Sequence, residues 1–175
     1  MNRFTLISII SIILALTYSL PAAEVDKAAE KPTWTLKLDE MKLPDAKAAG
    51  KIHGKDFVPD HAILQNGVLT LRQAGDLFPD LGIDVMNWIK REESPEGKVV
   101  RVAADDTKGI PFVRYVWRKV SKKDLPQIQD VAKGYAMILQ MGQRKDGKLT
   151  GQIYLCFPDE SQSFVAGSFV VEEKK

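Results

Sequence analysis

The chain reads as an all-β domain, a single antiparallel β-sandwich of about eight to ten strands with jelly-roll or immunoglobulin-like connections. Three observations predict it. Apolar runs of strand length recur from Trp34 onward, several of them alternating with a period of two residues. Short breaks rich in Gly, Pro and Asp separate the runs. Only Asp124 to Lys133 has the composition for a short helix, with Pro126 suited to its first turn.

Taken in order, the first element is a leader. Arg3 supplies a positive start, Phe4 to Leu16 is apolar but for Thr5, Ser8 and Ser11, and small residues with a proline run to Ala23 before the first acid, Glu24. That layout predicts a signal helix over 1–23, cleaved somewhere within 19–23 and exporting the protein to a periplasmic or extracellular space. Cleavage after Ala23 places Pro21 at the −3 position, whereas cleavage after Ser19 places the small Thr17 there. An uncleaved anchor is the competing reading, because Phe4 to Ala23 approaches the ~20 residues that span a bilayer. The apolar run ends near Leu16 and no basic cluster flanks it beyond Arg3, which argues for cleavage and no membrane span afterwards. No cysteine closes the leader, so lipid attachment there is excluded.

Residues 24–32 read as a polar tether, and 33–175 as the sandwich domain, about 150 residues and large enough for an ordinary core. Trp34 to Leu38 alternates as a half-buried strand would. Ile63-Leu64 and Val68 to Arg72 flank Asn66-Gly67, the strongest short hairpin signal. Further runs are Ile83 to Arg91, Lys98 to Ala103, Phe112 to Val120, Tyr135 to Gln143, Gly151 to Phe157 and Phe164 to Glu172. Turns are expected at Ser94 to Gly97, Asp105 to Gly109, Asp146-Gly147 and Pro158-Asp159.

Strand phase then yields a candidate site. If Glu92 to Gly97 and Asp105 to Ile110 close successive hairpins, Arg91 faces Lys98, and Trp88, Arg101 and Arg114 fall in one row. Val85, Ile89, Val100, Val102, Val113, Tyr115 and Trp117 would face the core. Trp88, Lys90, Arg101, Arg114 and Arg118 would face outward with Met86 and Val116. An indole among arginines can stack on a sugar ring, while the guanidinium groups grip carboxylate, sulfate or phosphate. The plain alternative is arginine stems shielding a solvated Trp.

Other chemistry is thin. The formal net charge of +2, to which Arg3 contributes one, is no nucleic-acid signal. The single Cys156 excludes an intramolecular disulfide, and its apolar run marks it as a buried hydrophobe. His53 and His61 lack a third ligand, so no metal is expected. Asp76, Asp80, Asp84 and Asp105-Asp106 match no calcium loop and read as turn residues. Ser161, Ser163 and Ser168 lack a nucleophile elbow. No phosphate-cradling glycine loop occurs, so no cofactor is expected.

The blocks Gly50-Lys-Ile-His-Gly-Lys-Asp-Phe57, Ala62 to Arg72, and Gly151 to Asp159 through Ser163 to Phe169 resemble recurring blocks in exported bacterial proteins of unassigned function. The resemblance implies an all-β exported domain and transfers no catalytic residue. The expectation is therefore a non-catalytic binding or structural module of the bacterial cell envelope. It would bind a glycan or another anionic ligand on the Trp/Arg face. The alternatives are a protein-interaction or assembly subunit and, least favoured, a hydrolase.

Overall fold

Asn66 and Gly67 turn the chain through left-handed φ angles of 52° and 77°. Those angles suit the right-handed twist of the flanking strands, which is why this dipeptide closes a two-residue hairpin. The hairpin joins His61–Gln65 (β3) to Val68–Gln73 (β4), as its sequence predicts. Before it come Ala49–Ile52 (β1) and Lys55–Phe57 (β2). After it come Leu81–Met86 (β5), Val99–Val102 (β6), Phe112–Trp117 (β7), Gln127–Val131 (β8), Ala136–Met141 (β9), Leu149–Cys156 (β10) and Phe164–Glu173 (β11). This computed structural model describes residues 33–39, 41–74, 78–90, 92–119 and 125–173. The expected signal helix and tether, with Asp76 and Arg91, lie outside them.

The domain is all-β, and no helix occurs among the described residues. The eleven strands form one curled sheet, in the order β6-β9-β10-β11-β3-β4-β5-β7-β8, with β1 and β2 branching from β11. Strand pairs are antiparallel except β11 with β3, which run parallel through Glu172↔Ile63 and Glu173↔Leu64. β11 is thus the hinge of the sheet, held by β10 from Phe164 to Val171 on one edge, and by β1 at its start and β3 at its end on the other.

The core lies between the two halves of the curl. Leu71, Ile83, Val113 and Tyr115 from one half meet Leu139, Ile153, Leu155 and Val165 from the other. Each such fully buried aliphatic side chain stabilises the fold by roughly 1.5–3 kcal/mol. A smaller apolar layer covers the outer face of β9, β10 and β11. There Leu36, Leu38, Met41 and Leu43 lie over Ile138, Tyr154, Cys156 and Ala166. This cover is the expected first strand, and it is not one. Trp34 to Leu38 pairs with no strand and crosses the sheet face as an irregular strap.

Two further expectations are corrected. The described part of Asp124 to Lys133, residues 125–133, contains no helix and carries β8, an edge strand along β7, with Pro126 just ahead where a missing N–H costs nothing. The three-strand meander does not form. β5 pairs with β7 directly, and β6 lies at the opposite edge of the sheet, bound to β9. No described helix is long and apolar enough to cross a membrane.

Candidate ligand face

The outer faces of the two sheet halves differ. The strap covers that of β9–β11, whereas that of β3, β4, β5, β7 and β8 carries a trough of about 540 Å³, within the ordinary range for ligand sites. Register places its side chains in two rows. One runs Ile63, Thr70, Asp84, Arg114, and the other Arg72, Gly82, Val116, Ile128. Alternation along each strand turns all of them away from the core.

Polar groups crowd the first row. Thr70 Oγ1 donates to Asp84 Oδ1 at 2.7 Å, and Arg114 donates through Nε to Asp130 Oδ1 at 2.6 Å. The bond to Asp130 holds the Arg114 guanidinium above its ordinary pKa; desolvation opposes this and Asp84 adds to it. In the second row Gly82 has no side chain, and Pro79 packs over it, 3.3 Å from where a Cβ would stand. Arg72 sits beside Gly82 with a buried Nε that has no hydrogen-bond partner among the described residues. Unpaired buried donors are costly, so this one is suited to an acceptor supplied from outside.

One wall is apolar. Phe78, 47% exposed, and Ile128, 57% exposed, line the trough with Pro79 and Pro126. Arg118 builds that wall. Its Nε donates to Asp80 Oδ1 at 2.9 Å and its Nη2 to the Phe78 carbonyl at 3.0 Å, which hold the Phe78–Asp80 segment against β7.

The expected Trp/Arg platform is not assembled. Trp88 is 4% exposed and belongs to the core, its Nε1 without a partner. The cause is local: Asn87, just past β5, adopts φ 60°, which breaks the alternation and swings Trp88 inward. Arg101 sits on β6 opposite Ile138 and donates to the Leu38 carbonyl, fastening the strap. Lys90 is exposed in the loop beyond β5, where its main-chain N–H donates to Glu93 Oε2 at 3.4 Å. Of the five predicted residues, Arg114 lines the trough and Arg118 supports it. The inward set was read correctly, since Val85, Val102, Val113 and Tyr115 are core and Ile89, Val100 and Trp117 pack against it.

Sequence reasoning missed Arg72, Gly82 and Asp84 as neighbours of Arg114. Their signal exists only in the register of β4, β5 and β7. The remaining candidates have structural roles. Ser163, buried, donates to Asp159 Oδ2 at 2.7 Å and accepts the His53 main-chain N–H at 2.8 Å. Serine, aspartate and histidine therefore meet, but the His53 ring stacks on Trp117 at 4.4 Å instead of addressing the hydroxyl. His61 Nδ1 lies 2.7 Å from Glu172 Oε1. Cys156 is buried beneath the strap against the Tyr154 hydroxyl at 3.1 Å, and burial pushes its thiol pKa up. Asp106 caps a turn by accepting the Ala103 N–H at 2.8 Å. Among the described residues no three His, Cys, Asp or Glu side chains converge to hold a metal.

The fold and this trough are the features of an all-β domain with one open sheet face. Comparison with known proteins adds no relative: no family model, curated protein or solved structure matches the chain.

Proposed function

We propose that this protein is an exported, non-catalytic binding module of the bacterial cell envelope, and that its ligand site is the trough over β4, β5 and β7. The supporting observation is the Arg72 Nε, unpartnered among the described residues, beside Gly82 in the trough, with Arg114 and Asp84 one row away. A glycan bearing carboxylate groups suits this lining. Its anionic groups would meet the arginines, its hydroxyls Thr70 and Asp84, and its ring faces Phe78 and Ile128. Retention on an anionic polysaccharide column tests the reading. Retention should fall in Arg72→Ala and Arg114→Ala while Arg101→Ala, on the far edge, is retained like the parent.

A protein partner is the second reading. Leu125, 73% exposed, adjoins Phe78 and Ile128 in sequence and in the trough wall, and such a patch is a common docking feature. Capture of one stoichiometric envelope protein, lost in Ile128→Asp and unaffected by competing polysaccharide, would favour it.

A further inference from the structure

β11 is ten residues long, but among the described residues its neighbours on one edge leave a gap. Ala46 and Ala48 bond the main chain of Ser168, at 2.8 Å each, and β3 takes over at Glu172. The registers of both stop short of Val170. Strand alternation turns the N–H and C=O of residues 168, 170 and 172 to the same edge, so those of Val170 face the gap, away from β10. A separate hollow of about 460 Å³ lies there, on the far side of β3 from the trough. Phe169 and Ala62 form its apolar floor. Lys47 stands at one end, and Glu172, paired with His61, at the other. Ser168 and Glu172 are four residues apart, roughly 13 Å of extended strand.

We propose that this notch is a docking slot for a short extended peptide of about three residues with free termini, which completes the sheet by exchanging main-chain hydrogen bonds with Val170. The charges set its direction. The peptide carboxylate meets Lys47 and its ammonium meets Glu172, so it runs antiparallel to β11. Side chains alternate between solvent and the Phe169 floor, which admits small apolar residues. This site is independent of the trough and uses none of its residues.

Titration of 15N-labelled protein with tri-alanine tests the proposal. The Val170 amide should shift saturably, together with those of Ala48 and Ala62. Methylating the central peptide nitrogen should weaken binding about tenfold, since one ladder bond and its space are lost. Val170→Pro removes a donor that β10 does not use and should abolish the response with the melting temperature nearly unchanged. Lys47→Ala and Glu172→Gln should each weaken it about threefold, as rim charges do. No saturable shift by about 10 mM peptide, weaker than any useful affinity, would overturn the proposal. So would undiminished binding by Val170→Pro, or a Val170 amide already protected from hydrogen exchange without peptide, which would mean the chain fills its own slot.

Discussion

The indole N–H of Trp34 donates to the carbonyl of Phe157 at 2.9 Å, joining residues 123 positions apart. The Tyr154 hydroxyl adds bonds to the carbonyls of Thr33 and Thr35 at 2.9 and 3.0 Å. These contacts pin the strap over β9–β11 and leave the opposite outer face open. Among the described residues, one outer face is covered by the strap and the other carries the trough.

The strap makes Cys156 a reporter. Trp34→Ala removes a half-buried ring and a hydrogen bond, and should destabilise the domain by about 2 kcal/mol. Thiol reagents should label native Cys156 very slowly, because burial both hides the thiol and raises its pKa. Labelling should accelerate in Trp34→Ala under native conditions. Equal rates in both proteins would mean the strap does not guard the thiol.

Trp88 gives a test of burial against exposure. Its side chain fills core volume and its Nε1 bonds nothing, so Trp88→Ala should cost about 3–5 kcal/mol and Trp88→Phe far less. Urea denaturation measures both. A neutral Trp88→Ala would place the indole on the surface after all.

A Cβ on Gly50 would lie 2.0 Å from the Phe164 carbonyl oxygen, across the β1–β11 pair. Main chain cannot yield as a flexible side chain does. Gly50→Ala should therefore cost about 3 kcal/mol by overpacking. The two sequence blocks that carry Gly50 and Phe164 are thus joined by a contact only glycine allows.

Arg144 donates to Glu173 Oε1 at 2.9 Å and to Glu96 Oε1 at 3.2 Å, tying three segments at the end of the sheet. The bond to Arg144 holds the Glu173 carboxyl below its ordinary value of 4.5. A lowered folded pKa contributes stability that is present above the unfolded value and is lost as pH falls through the folded one. The melting-temperature difference between the parent and Glu173→Gln should be small and salt-sensitive at neutral pH, should shrink as pH falls below 4.5, and should vanish once pH is below the folded value. A difference that persists at that pH would assign the effect to packing instead of charge.

How much of this was legible follows from the range of each signal. Inward and outward phases are local, so Val113, Arg114 and Tyr115 were assigned correctly from alternation alone. The hairpin at Asn66-Gly67 is equally local. Pairing is not: β6 finds β9 across the intervening β7 and β8, and no residue of Val99–Val102 names that partner. Trp88 was misplaced because one left-handed residue, Asn87, reversed the phase; an Asn after an apolar run was the available warning. The β1–β2 hairpin turns on His53-Gly54, at φ 48° and 75°, and histidine signals a left-handed turn more weakly than asparagine. Of the trough, Arg114 was visible as an outward cation. Its relation to Arg72, Gly82 and Asp84 exists only once three strands are in register.

The central claim is that the open face over β4, β5 and β7 binds the ligand. Titrating 15N-labelled protein with an oligosaccharide of uronic acids, and following backbone amides, tests it most directly. Saturable shifts are expected at Thr70, Gly82, Asp84, Arg114 and Ile128, lost in Arg72→Ala. Shifts confined to β6 and β9, or none at saturating oligosaccharide, would contradict it.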